Sequence, residues 1–360
     1  SGMAEALRDE MGDCPVPPNF ASEYFSTTGC VAELFNLHPQ AERGRAWAAE
    51  TARHFISRFV RPDGTYGESL NYHTHMFNEL LCHLYPLARR GGTDFFGDSL
   101  VRGSFEHFID MQMPPLQRSL IGGAHTALTA DAESVICAPL PADGNSGGEG
   151  LEMPHRGELA LGARVYQQTD SGLSARLMAA WWAACKPVLD NEHPVLTLLT
   201  LDPALPADPA PPSSVSRLGQ GIISRALRPD GLPVWCLFRA GSHTHHMDFD
   251  QGNLHLALGD QVLLGDYGYH AHDTDGTSLT ACETWLHNTL TYGPDRHLTS
   301  GYTGLEKAPE PLRTRLGPDY DWCVLRIVND NYRKLDELPY HRQIPALETV
   351  HLRHYLFIKP

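Results

Sequence analysis

The hydrophobic period of this 360-residue chain changes once, near residue 215, and that change limits the architecture more than any other feature. Before it, Phe20 to Leu37, Ala41 to Val60, Tyr72 to Arg89, Asp98 to Met111, Gly157 to Gln168 and Ser171 to Leu189 carry apolar residues at helical spacing. His38-Pro39, Arg61-Pro62-Asp63-Gly64, Gly91-Gly92-Thr93-Asp94 and Pro114-Pro115 separate these segments as stop signals. After the change, short alternating runs take over: Gly221-Ala226, Leu232-Arg239, Leu254-Leu258, Gln261-Leu264, Asn288-Thr291, Trp322-Val328 and Val350-Ile358. Between the two regimes, Leu201 to Ser214 (LDPALPADPAPPSS) has the composition of a semi-rigid linker. Helices first and strands afterwards predict an α+β multidomain chain. Its expected parts are a helical array or α/α toroid over 1–200, a Pro-rich linker over 201–216 and an antiparallel β-sandwich over 217–360.

Charge narrows the partners. The chain has 28 Lys and Arg against 43 Asp and Glu, a net −15 with histidine neutral. This disfavours nucleic acid and anionic membrane surfaces, although an acidic sugar needs only local positive potential. No run of eighteen apolar residues is present, so no membrane span is expected. Ser1-Gly2-Met3 reads as a cleaved-tag remnant, with no signal peptide after it. Eight cysteines are scattered without a C-x-x-C pair, which predicts free buried thiols and leaves disulfides open.

The chemistry concentrates between Gly241 and Tyr269, GSHTHHMDFDQGNLHLALGDQVLLGDYGY. His243, His245, His246, Asp248 and Asp250 fall within eight residues. Side chains two apart on a strand share a face, so His246, Asp248 and Asp250 project together if the segment is extended. A turn at Gly259-Asp260 could return Asp266 beside Asp248. Imidazole and carboxylate groups converging on strands suit Zn²⁺ or a similar ion, and a solvated His-rich loop is the alternative.

The order of these residues resembles the signature that opens the β-domain of heparinase II/III-like polysaccharide lyases: H-x-H-x-D-Q-x-S/N-F, an apolar strand, then L-L-x-D-x-G-Y. His246, Asp250, Gln251, Asn253, Leu263, Leu264, Asp266, Gly268 and Tyr269 fall in place, and His287-Asn288-Thr289-Leu290 is similar to the family's H-N-T-V. The resemblance implies an α/α toroid followed by a layered antiparallel β-domain, with substrate in the cleft between them. It makes His246 a catalytic-site histidine, and Asp248, Asp266 and His287 metal ligands. Asp248 stands where the family has histidine, so the set is harder than usual. Zn²⁺ is the expected structural ion, with Ca²⁺ or Mn²⁺ as alternatives. Against the family the chain reads as incomplete, ending at Leu356 to Pro360 in what looks like a mid-sheet strand. An open sheet edge there makes a homodimer an expectation.

The implied reaction is β-elimination on a uronate. It needs a group to neutralise the carboxylate, a base for the C5 proton and an acid for the O4 leaving group. Pro62 to His73 (PDGTYGESLNYH) is similar to the family stretch D-G-x-x-x-E-x-x-x-Y-H. It nominates Glu68, Asn71 and Tyr72 for substrate binding, and Tyr66 and His73 for proton transfer. The alternative is a helix start with Tyr72 and His73 packed inward. Gly122 to Asp131 looks like the family's D-Y-N-T-P-x-x-G-D, but Ala124 replaces the tyrosine and His125 is its neighbour, a candidate for proton transfer. Trp285, next to His287, could stack on a sugar ring. Trp181-Trp182 lies in an apolar helix and is expected in the core.

The expected function is therefore a polysaccharide lyase acting on a uronic-acid-containing glycan, secreted or periplasmic by resemblance. The alternatives are a non-catalytic carbohydrate-binding or assembly protein on the same scaffold, and a glycoside hydrolase using Glu68 and Asp131.

Overall fold

The computed structural model describes residues 18–67, 70–90, 94–119, 134–137, 140–141, 151–152, 156–184, 194–209, 213–241, 251–265, 288–289, 310–329 and 349–360. The helices are α1 (Pro18–Leu34), α2 (Ala41–Phe59), α3 (Leu70–Arg89), α4 (Ser99–Met111), α5 (Arg156–Tyr166), α6 (Ser171–Ala183) and α7 (Pro194–Thr200). Six of them match the periodic segments within a few residues. The short α7, which the periodic segments do not include, begins at Pro194; Pro suits a first helical turn, where its missing N–H is not needed.

Local chemistry sets the ends. Asp98 caps α4 by accepting from the Leu100 N–H at 2.8 Å, and Asp170 caps α6 through the Leu173 N–H at 2.9 Å. On α3, His73, Met76, Phe77, Leu80, Leu81 and Leu84 recur at three- and four-residue spacing, and all are buried. They join Phe25, Phe55, Phe105, Phe108, Leu159 and Leu177 in one core, each large side chain contributing about 1.5–3 kcal/mol. Trp181 belongs to this core, whereas its neighbour Trp182 meets it edge-on and is 36% exposed.

Two short hairpins interrupt the helical half: β1 (Leu116–Ser119) with β2 (Ser134–Cys137), and β3 (Leu140–Pro141) with β4 (Leu151–Glu152). No alternation along these short segments is strong enough to announce them. The Pro-rich stretch after α7 is anchored to the helices, since the Asp208 N–H donates to Ala175 O at 3.1 Å and Leu205 is buried.

The second half holds an antiparallel meander of β5 (Val215–Arg217), β6 (Gly221–Leu227), β7 (Pro233–Arg239), β8 (Leu254–Leu258) and β9 (Gln261–Leu264), in that order. A separate antiparallel sheet has β10 (Glu310–Leu316), β11 (Tyr320–Asn329) and β12 (Thr349–Ile358). In β6 and β7, successive residues serve different cores. Ile223, Trp235 and Leu237 face the helices, whereas Ile222, Cys236 and Phe238 face Cys323, Leu325, Ile327 and Tyr355 of the second sheet. Phe238 stacks on Tyr355 at 4.9 Å and 6°. The alternation expected for these segments is thus not clean: β7, covered on both sides, is apolar without a break from Val234 to Phe238. Asn288 and Thr289, expected to begin a strand, form a bend whose polar groups bond sideways to other segments.

Cys30, Cys82, Cys236 and Cys323 are free thiols, as expected of scattered cysteines. Burial pushes the Cys82 and Cys236 thiols up to about 12. Among the described residues no helix is long and apolar enough to cross a membrane.

Candidate active site

The turn before α3 is built from the Arg61-Pro62-Asp63-Gly64 stop signal. Gly64 N–H donates to Arg61 O and Arg61 N–H to Thr65 O, both at 2.8 Å, and Val60 pairs with Tyr66 in an antiparallel bridge. Gly64 adopts φ +84° and lies against Gly103 of α4, where a Cβ would come within 1.9 Å of the Gly103 carbonyl carbon. Ser104 Oγ donates to Gly64 O at 2.8 Å and fixes the approach. Asp63 stiffens the turn further, its Oδ1 accepting from the Thr65 hydroxyl at 2.7 Å.

The turn directs Tyr66 and His73 inward. Both are 1% exposed. Tyr66 stacks near Phe55, and His73 lies parallel to His107 of α4 with centroids 5.0 Å apart. Phe108 and Phe77 complete the enclosure of His73. Neither His73 ring nitrogen has a hydrogen-bond partner among the described residues. Burial, reinforced by the Arg217 charge, pulls His73 down to about 3, so its imidazole is neutral at physiological pH. A base this weak is poorly matched to abstracting a carbon-bound proton near neutrality. Tyr66 and His73, expected to exchange protons with substrate, thus have their rings packed into the helical core. For His73 the reason lies in the sequence, since it precedes Met76 and Phe77 on the apolar stripe of α3.

Above this core, two arginines from the sheet meet the helices. Arg217 on β5 donates through Nε to Asp110 Oδ2 at 2.9 Å and through NH1 to Asp63 O at 2.5 Å, and NH2 also reaches Asp110 Oδ2. The Leu218 N–H donates to Asp63 Oδ2 at 2.5 Å. Arg225 on β6 donates to Asp110 O and, at 3.1 Å, to Ser213 O. Burial pulls Arg225 down to about 10, against the pull of Asp110, which leaves it charged at neutral pH. Helical and β parts are thus joined by charge as well as by apolar contact. Sequence reading missed Arg217, Asp110 and His107. No local pattern marks them, because their partners are distant along the chain.

A second polar cluster occupies the β part. Gln251 Oε1 accepts from the Gly241 N–H at 3.2 Å, so the described residues on either side of 242–250 are joined. Asn288 Nδ2 donates to Gly265 O at 2.9 Å and to Leu254 O at 3.1 Å, so those on either side of 266–287 are joined too. Thr289 Oγ1 donates to Gln251 O at 2.8 Å and accepts from Arg353 NH1 at 2.9 Å. Asn253, fully buried, accepts from the Asn288 N–H at 2.9 Å and lies 3.2 Å from a ring nitrogen of His255. Asn288 thus holds Gly265 and its neighbour Thr289 holds Gln251; Gln251, Gly265 and Asn288 are the chain neighbours of Asp250, Asp266 and His287.

His246, His125, Glu68, Trp285, Asp248, Asp266 and His287 lie outside the described residues, as does the side chain of Asn71. Tyr72 is described and partly buried against the helical core. Among the described residues no group of three or more His, Cys, Asp or Glu could hold a metal ion.

No known sequence family matches the chain, and no curated protein is similar to it in sequence. Solved structures are similar. The heparan sulfate lyase HepC from Pedobacter heparinus superimposes with a TM-score of 0.58 at 15% identity, over 93% of this chain and 43% of that one. A heparinase III, the BT4657 gene product, gives 0.54 at 13% identity over 84% and 40%. A further heparinase III structure gives 0.54 at 13% identity over 85% and 42%. The chain spans about two-fifths of the length of these proteins. At such identities the likeness shows the fold alone, helices followed by antiparallel sheets.

Proposed function

We propose that this chain provides the helical and β parts of a polysaccharide lyase that cleaves a uronic-acid-containing glycan by β-elimination between them. The observation that supports the reading most is the fold likeness to heparin and heparan sulfate lyases, which extends over 84–93% of the chain. The finer architecture, an α/α toroid with a β-sandwich and a Pro-rich boundary near 201–216, belongs to the same proposal, as does a secreted or periplasmic setting.

In this reading a base removes the C5 proton, its electron pair forms the C4–C5 double bond, and the O4 substituent departs with a proton from an acid. His246 and His125 are assigned these transfers, because Tyr66 and His73 are enclosed. Tyr66 and His73 instead brace the floor from which Glu68, Asn71 and Tyr72 would orient the substrate, with Trp285 stacking on a sugar ring. Asp248, Asp266 and His287 would hold a divalent metal, Zn²⁺ or alternatively Ca²⁺ or Mn²⁺, whose contribution is to tie β segments together. The bonds from Asn288 to Gly265 and from Thr289 to Gln251, which draw together described residues flanking this set, support that assignment. A non-catalytic carbohydrate-binding protein is favoured by one observation, the withdrawal of Tyr66 and His73 into the core.

The test is near-ultraviolet absorbance during incubation with a panel of uronate polysaccharides. Elimination leaves a double bond conjugated to the carboxylate; hydrolysis does not. A rising signal that His246→Ala abolishes supports the lyase. New reducing ends without absorbance indicate a hydrolase, and binding without either product indicates the carbohydrate-binding protein.

A further inference from the structure

A cavity of about 490 Å³ opens in the helical part. It lies where α3 and α5 end and α4 and α6 begin, and its walls include Tyr85, Arg89, Asp94, Arg102, Arg164 and Asp170. Along α3, Arg89 is sixteen residues beyond His73, or about 24 Å at 1.5 Å per residue. The cavity therefore lies well away from His73 along α3.

Its charge runs against that of the chain. The lining has three guanidinium groups against two carboxylates, in a protein of net charge −15. Two of the three are committed: Arg102 pairs with Asp170 at 2.6 Å and Glu106 at 3.3 Å, and Arg164 with Asp202 at 3.0 Å. Arg89, in the last turn of α3, has no ion pair among the described residues. Asp94 is held toward the cavity rim by accepting from the Gly97 N–H at 2.9 Å. The Tyr166 hydroxyl is occupied by Phe96 O at 3.0 Å. What the cavity offers a ligand is thus a guanidinium with no ion pair among the described residues, carboxylate oxygens already oriented by their partners, and aromatic walls.

We propose that this cavity binds a small hydroxylated carboxylate of about the size of one hexuronate, with its carboxylate on Arg89 and its hydroxyls toward Asp94 and Asp170. The volume lies within the usual range of small-ligand pockets, roughly 300–1,000 Å³. Arginine presents the planar fork that matches a carboxylate, and aromatic rings suit the apolar face of a pyranose. The carboxylates select for hydroxyl donors and against polyanions, which makes a singly charged sugar acid a better fit than a sulfated chain.

The test is calorimetric or saturation-transfer NMR titration of the whole chain with sodium glucuronate, with glucose as the uncharged control. Free glucuronate has no glycosidic substituent at O4 to expel, so the outcome is independent of whether the protein is a lyase. Saturable glucuronate binding is expected, with glucose at least about tenfold weaker. Arg89→Ala removes a charge-assisted contact and should weaken binding about tenfold or more. Arg164→Ala, which loosens the opposite wall, serves as the second variant, and thermal melting checks that each folds. No glucuronate binding, equal binding of glucose, or binding unchanged in both variants would overturn the proposal.

Discussion

Arg217 on β5 and Asp110 near the end of α4 are 107 residues apart in sequence, yet Arg217 Nε lies 2.9 Å from Asp110 Oδ2. Each is at most one-fifth exposed, so the pair is mostly shielded from water. Removing one partner strands the other. Asp110→Asn should cost about 3 kcal/mol, and Arg217→Lys a similar amount, because an ammonium cannot reproduce the fork that also reaches Asp63 O. The check is the urea midpoint followed by tryptophan fluorescence, with Trp235 at the helix-facing side of the sheet as a reporter. An unchanged midpoint in both variants would refute the role.

Two buried histidines predict how stability depends on pH. His73 is pulled down to about 3 and His83 to about 4, both mainly by burial. The unfolded chain takes up protons near pH 6.5, whereas the folded chain resists until far lower pH. The stabilisation is thus complete above about pH 6.5 and declines as pH falls toward 3–4, with a slope of about 1.4 kcal/mol per pH unit for each histidine. His73→Phe should remove one such slope, measured as urea midpoints between pH 4 and 6.5. Parallel profiles for variant and parent would contradict the assignment.

Gly64 has no room for a side chain. Its φ of +84° and its approach to Gly103 predict that Gly64→Ala costs about 3 kcal/mol. Because Asp63 is in the same turn, the variant should also weaken the Arg217 contacts. Combining it with Asp110→Asn should then cost less than the sum of the two, a coupling that a double-mutant cycle reads directly.

Lys359 secures the end of the second sheet. Its Nζ lies 2.9 Å from Asp321 Oδ1, and Asp321 is completely buried. Lys359→Met leaves that carboxylate without its cation and should cost about 3–5 kcal/mol. Adding Asp321→Asn should recover part of the loss. A single variant with unchanged stability would show that the pair contributes nothing.

The sequence was most legible where packing follows a local period. The α3 stripe from Met76 to Leu84 and the runs Leu254–Leu258 and Gln261–Leu264 match the structure closely, because each buries a single stripe or forms a tight hairpin. The hairpin β1–β2 was illegible, since its pairing joins Leu116 to Cys137 across a long separation. In the candidate site, His73 carried both a catalytic and a core reading, and the apolar stripe decided for the core. Arg217 and Asp110 gave no signal at all: a lone arginine and a lone aspartate acquire meaning only when a sheet is laid against a helix.

The two-faced strands β6 and β7 leave an ambiguity that apolar residues cannot resolve. If either strand slipped by one position, Ile222 would exchange places with Ile223, and Cys236 with Leu237, each entering a core as greasy as the one it left. Hydrophobicity would barely oppose the error. What forbids it is the arginines along the meander. A slipped Arg225 would lose Asp110 O, and a slipped Arg239 would lose Gln220 Oε1, each leaving a cation pointed into oil. The costly buried charges of this fold thus act as its alignment pins, holding each strand in the one position where both of its faces fit.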